Sequence, residues 1–189
     1  MSTIGSQGSQ ASYYNFSVGS GIQPPPALPV FPRENPTDPF GLRTTYAHEP
    51  KVIRVLADIE RAITSQKPGE SLDLSGLNLS PLSNKQTPDR TLIHLERLII
   101  KMGNSQYPLE SANLTRTNLT GIDLTRAILP EANLTEAILT GTNLWRANLY
   151  EADLRGAVVV SNGQTITGEE LKQYLLETFK VTLSEGAKF

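Results

Sequence analysis

The sequence predicts a solenoid that turns once every five residues, flanked by short helices and preceded by an extended tail. Three observations predict it. From Tyr107 to Ser161 leucine returns every five residues, as Leu144, Leu149 and Leu154 do in TNLWRANLYEADL. Helical periodicity occurs only outside that run. Residues 1–48 have the composition of a linker, rich in Gly, Ser and Gln and then in proline from Pro24 to Pro39.

Written in fives, the run is YPLES ANLTR TNLTG IDLTR AILPE ANLTE AILTG TNLWR ANLYE ADLRG AVVVS, with LDLSG and LNLSP earlier at 72–81. The third residue is Leu until Val159, the first is mostly Ala or Thr, and the second mostly Asn or Asp. In one continuous strand, a step of five would send successive leucines to opposite faces. In an α-helix it would advance them by about 140° each time, with no common stripe. Only a chain that turns every five residues puts Leu114, Leu119, Leu124, Leu129, Leu134, Leu139, Leu144, Leu149 and Leu154 into one core. Each unit of such a repeat buries its apolar face against its neighbours.

The flanks have helical periods. Residues 49–66 hold an expected N-terminal capping helix, with Pro50 at its first position and Val52, Val55, Leu56, Ile59, Ala62 and Ile63 on one face. A second helix is expected over 88–102, N-capped by Thr87, with Leu92, Leu95, Ile99 and Met102 as its stripe and Gly103 as its stop. It forms an insertion at 82–106 that interrupts the solenoid of 72–161. Residues 167–189 are expected to supply a C-terminal capping helix and tail. There Thr167 and Glu170 have the spacing of a capping box, and Leu171, Tyr174, Leu175 and Phe179 form the apolar face.

The A(N/D)Lxx blocks resemble the pentapeptide-repeat proteins, and their combination with short helices resembles members common in cyanobacteria. The resemblance implies a mainly β fold, a right-handed quadrilateral β-helix with four pentads per coil. It also implies that the first and third residues point inward and the second, fourth and fifth outward. Residues twenty apart then stack, so Tyr150 should sit above Pro130 beside Ile128. Trp145 should sit above Thr125, flanked by Arg126 and Arg146. Ile138 should lie under Val158 and Val160.

Exposed aromatic, apolar and arginine residues that cluster mark interaction surfaces. The candidate partner-binding residues are therefore Trp145, Tyr150, Arg146, Arg126, Ile128 and Pro130, with Phe16, Phe31 and Phe40 as anchors in a tail that a partner would order.

No catalytic, cofactor or metal site is expected. The chain has no cysteine, no GxSxG and no phosphate-binding Gly-rich loop, and His94 reads as a helix-surface or capping residue. Repeat carboxylates such as Asp123, Glu151 and Asp153 are expected to hydrogen-bond along the coil. A net charge of −2 gives no reason to expect nucleic acid, and no apolar run reaches the ~20 residues needed to span a bilayer. Without a basic, apolar start, the chain is expected in the cytoplasm, free or at the cytoplasmic face of a membrane-bound assembly. The expected function is a non-enzymatic protein–protein interaction scaffold, adaptor or linker. The resemblance also raises a DNA-mimicking gyrase binder, although the repeat carries Arg116, Arg126, Arg146 and Arg155 among its acids. A structural linker of a photosynthetic or antenna assembly is the third reading.

Overall fold

The computed structural model describes residues 42–83, 94–102 and 106–189, all within the unit Arg33–Phe189. Phe16, Phe31, Phe40 and the expected N-cap Thr87 lie outside the described residues.

The pentad folds as it does because it closes on a tight turn. The Ala127 N–H donates to the Leu124 carbonyl at 3.0 Å, and Arg126 between them has φ of 58°. This is a type II turn, whose third residue must have positive φ. The fifth residue of the pentad fills that position. It is Gly at several turns, but Arg116, Glu131, Glu136, Arg146 and Glu151 adopt positive φ as well. The left-handed conformation costs an L-residue about 1–2 kcal/mol, which the ladder must offset. Gly121 is needed for a second reason, since a Cβ there would lie 2.8 Å from the Ser83 Cβ.

Four such turns return the chain to its start. Parallel bridges join Asn113 to Asn133 and on to Asp153, Asn118 to Ile138 to Val158, Asp123 to Asn143, and Ile128 to Asn148. These rows define four sides, here called first to fourth in that order. The ladder is direct: Leu134 N–H donates to the Asp153 carbonyl at 2.7 Å, and Asn133 N–H to the Ala112 carbonyl at 2.9 Å. All nine expected core leucines are buried at 2% exposure or less, together with Ala112, Ala127, Ala132, Ala137, Ala147, Ala152 and Ala157. Burying a leucine contributes about 1.5–3 kcal/mol, so this row is the main stabilising term. Two first positions are polar and fully paired: the Thr117 hydroxyl donates to the Leu74 carbonyl at 2.9 Å, and Thr142 to Leu119 at 2.8 Å.

The second residue does not simply point outward, nor do its bonds run along the coil. Its side-chain oxygen accepts the N–H two residues on: Asn113 from Thr115 at 3.2 Å, Asn143 from Trp145 at 3.1 Å, Asn148 from Tyr150 at 3.1 Å. These Asx-turns satisfy a donor that the turn leaves free, and Asp123 is buried in making one. Ile128, Ile138 and Val158 depart from this pattern: after Ile128 the fourth residue is Pro130, which has no N–H to satisfy, and after Val158 the Val160 N–H donates instead to the Thr140 hydroxyl at 2.9 Å.

The first coil is incomplete in sequence. Asp73 and Asn78 bridge Asn113 and Asn118, and then His94 bridges Asp123. Of the helix expected over 88–102, residues 88–93 lie outside the described residues; within the rest, α3 spans Leu95–Lys101 and His94 is its extended N-cap. The helix starts there because His94 is extended and bridges Asp123, with the Leu95 N–H donating to the Asp123 carbonyl at 3.1 Å. The expected tail also ends earlier than residue 48. Leu42–Thr45 form a short helix, α1, Tyr46 is 1% exposed in the core, and Arg43 pairs with Glu60 at 2.5 Å.

Helix α2, Pro50–Ser65, adds Val52, Val55, Leu56 and Ile59 to the same core. At the other end β1 (Val159–Ser161) and β2 (Gln164–Ile166) form a hairpin turned at Asn162-Gly163, both with positive φ. Helix α4, Gly168–Phe179, buries Leu171 and Leu175, and Thr167 precedes it without the expected side-chain cap bond. The segment after α4 rejoins the ladder. Thr182 bridges Asn148 and Lys188 bridges Asp153, continuing the fourth and first sides. No helix among the described residues is long and apolar enough to cross a membrane.

Candidate functional site

On the third side, at the turn into the fourth, side chains from separate blocks converge. His94, Glu96, Arg97, Asp123, Thr125, Arg126 and Trp145 line an open groove of about 490 Å³. The register places them: Arg126 N–H donates to the Trp145 carbonyl at 2.8 Å, which stacks one block on the next.

His94 is fixed by two bonds. Its Nε2–H donates to the Thr125 carbonyl at 2.7 Å, and its Nδ1 accepts the Arg97 N–H at 3.4 Å as the cap of α3. Glu96, 8% exposed, accepts the Ile128 N–H on Oε1 at 3.1 Å. In complete coils that donor meets a backbone carbonyl from the coil beneath, as Asn148 N–H meets the Ala127 carbonyl at 2.9 Å. The glutamate thus substitutes for a strand that the first coil lacks. Burial is the largest influence on its carboxyl and holds the pKa above its ordinary 4.5; the Ile128 bond, His94 and Arg97 oppose it. Asp123 is occupied with Thr125, accepting its N–H at 3.1 Å and its hydroxyl at 2.5 Å.

These facts predict a pH effect. A carboxyl whose folded pKa is raised stabilises the fold below its unfolded pKa, and that contribution is lost as pH rises through the folded value. Glu96→Gln keeps an oxygen for Ile128 and removes the buried charge. Its melting temperature should match or exceed wild type at pH 7, and the gap should close toward pH 4. Glu96→Ala leaves the Ile128 donor unpaired and should lose about 1–3 kcal/mol. A Gln variant that melts well below wild type at pH 7 would overturn this account.

The sequence-predicted residues fall in two groups. Trp145, 40% exposed, and Arg126 share the groove, and Arg146 lies over the indole at 5.8 Å. Tyr150, 47% exposed, belongs to the fourth side with the half-buried Ile128 and Pro130. Its pKa is raised, first by a hydrogen bond to Glu151 and then by the charges of Glu151 and Glu131. Ile138 and Val160 are exposed on the second side, where the Val160 N–H donates to the Thr140 hydroxyl at 2.9 Å. The structure therefore does not join Trp145 and Tyr150 into one patch.

His94 caps α3, one of the two roles the sequence suggests for it, and it also joins Glu96 and Arg97 in a groove that the helical reading of 88–102 does not foresee. The signal was there: residues 93–97, Ile-His-Leu-Glu-Arg, read as a pentad with leucine third. Among the described residues, no group of three or more His, Cys, Asp or Glu side chains is arranged to hold a metal ion.

The pentapeptide repeats family matches residues 109–146 and 127–158, with 8 copies of the repeat. Residues 109–158 are therefore a run of pentapeptide repeats. Similar solved structures are themselves pentapeptide-repeat proteins. One, from the Arabidopsis thaliana thylakoid lumen, is 24% identical over 56% of this chain and 74% of its own, with a TM-score of 0.17. Another, from the cyanobacterium Cyanothece 51142, is 22% identical over 62% of this chain and 87% of its own, with a TM-score of 0.18. No curated protein matches this chain.

Proposed function

We propose that the protein is a non-enzymatic protein–protein interaction scaffold. In this reading the core is a right-handed quadrilateral β-helix. Helix α2 covers one end, and α4 with the segment after it covers the other. The prism presents Trp145 with Arg126 and Arg146 on one side, and Tyr150 with Ile128 and Pro130 on the next. The Pro-rich segment before residue 42, with Phe16, Phe31 and Phe40, is a second contact that a partner orders. The scaffold acts in the cytoplasm, free or at the cytoplasmic face of a membrane-bound assembly.

The observation that supports this reading is the exposure of the large aromatics Trp145 and Tyr150 on a backbone that turns every pentad leucine inward. Aromatic and arginine residues carry much of the binding energy in protein interfaces. A DNA mimic would instead present a continuous acidic face, whereas the groove of Trp145 mixes Arg97 and Arg126 with Glu96 and Asp123, and Arg146 lies over the indole.

Capture of the partner from the native host, followed by titration of that partner, tests the reading. Trp145→Ala should weaken binding by more than about 1 kcal/mol, the usual hot-spot threshold, while leaving the thermal melt nearly unchanged. Unchanged binding with a stability loss of about 3–5 kcal/mol would mean the indole is core instead.

A further inference from the structure

We infer that the groove beside Trp145 binds an acidic peptide segment, with Arg97 and Arg126 taking its carboxylates and the indole covering its backbone or side chains. The inference rests on the scaffold reading and names the chemistry of its partner.

The charge pattern of the groove carries the argument. Two other arginines of the repeat have acid partners, Arg116 with Glu136 at 2.6 Å and Arg155 with Asp153 at 2.6 Å, while Arg146 lies over the Trp145 ring. Among the described residues, no carboxylate closes an ion pair with Arg97 or Arg126. The two acids that share the groove are committed elsewhere, Glu96 to the Ile128 N–H and Asp123 to Thr125. Arg97 and Arg126 therefore line an open space of about 490 Å³ beside Glu96 and Asp123, with no ion pair formed to either acid. Arginine suits carboxylates because its planar fork can bind both oxygens at once.

The rest of the surface selects a peptide over a nucleic acid. Arg126 is the fifth residue of its pentad, whereas the corresponding residues one side further along are Glu131 and Glu151. A continuous polyanion crossing the fourth side would meet those carboxylates, and the whole chain has a net charge of −2. A short acidic stretch that ends at the arginines avoids that repulsion. Trp145 supplies the apolar contact such a segment needs, being 40% exposed and backed by Arg146 at 5.8 Å.

Trp145 is the only tryptophan, so its fluorescence reports on the groove directly. The full chain is titrated with a short poly-glutamate peptide, and in parallel with poly-lysine and with oligothymidylate of equal charge. Poly-glutamate should change the emission saturably, more weakly as salt rises, and poly-lysine should not. Arg97→Gln with Arg126→Gln should weaken binding by about tenfold or more, and an unchanged thermal melt would show that the fold is intact. Absence of a saturable change, equal binding by the double variant, or tighter binding of oligothymidylate would each overturn the inference. The same variant separates this idea from the scaffold reading. If it still captures the partner that Trp145→Ala loses, the scaffold stands and the acidic-segment assignment falls.

Discussion

Removing residues 180–189 is expected to destabilise the protein by about 5 kcal/mol and to make it self-associate. The estimate combines side-chain burial at about 1.5–3 kcal/mol per apolar residue with about 0.5–1.5 kcal/mol per hydrogen bond. Val181 is 7% exposed, and Leu183 and Phe189 pack against the core. The segment also closes the ladder: Leu149 N–H donates to the Thr182 carbonyl at 2.9 Å, Leu154 N–H to the Lys188 carbonyl at 2.7 Å, and Lys188 N–H to the Ala152 carbonyl at 3.0 Å. Without it, two sides of the last coil present unpaired strand edges above buried leucines, the arrangement that templates edge-to-edge association. A domain is typically stable by only about 5–15 kcal/mol, so the loss brings this one near its threshold. Thermal melts and sedimentation of the truncated chain check it. A monomer melting within a few degrees of wild type would show that α4 alone closes the end.

This closing segment was not legible in the sequence, and the reason is physical. Val181-Thr182-Leu183-Ser184-Glu185 has the pentad's residue types, but it stands alone after α4, and the next bridge, at Lys188, follows Thr182 by six residues rather than five. The same holds at the other end. Ile-His-Leu-Glu-Arg at 93–97 is a pentad by residue type, but its leucine also fits a helical stripe with Ile99 and Met102, and both readings are partly true: Leu95 lies in the ladder and begins α3. By contrast, the central leucine register could be read directly, since any other arrangement scatters the leucines. The exposure of Trp145 and Tyr150 followed from that register. Helix α2 was legible, because its apolar face and Pro50 agree on a span within 49–66. The groove was legible only in part: the pentad at 93–97 places His94 and Leu95 in the ladder, but no local period signals that Glu96 takes the Ile128 N–H.

Leu134→Ala is expected to cost about 3–5 kcal/mol, the upper range for a buried leucine, because its surroundings cannot collapse into the space. Leu134 is 1% exposed. Its backbone is pinned from both sides: Asn133 N–H donates to the Ala112 carbonyl at 2.9 Å below, and Leu134 N–H to the Asp153 carbonyl at 2.7 Å above. Its inward neighbours in the stack, Leu114 and Leu154, are pinned in the same way, Leu114 N–H to the Asn133 carbonyl and Leu154 N–H to that of Lys188. Flexible cores relax toward a cavity, but a coil held every few residues by ladder bonds and positive-φ turns has little freedom to do so. Leu134→Met, which nearly conserves volume, should lose less than about 1.5 kcal/mol. Chemical denaturation of both variants measures the difference. If alanine costs no more than methionine, the layers slide to fill the gap, and the solenoid is not the rigid support that the exposed aromatics require. If the alanine loss is large, it also shows that layers depend on their neighbours, as expected where each coil is buried only by those above and below it.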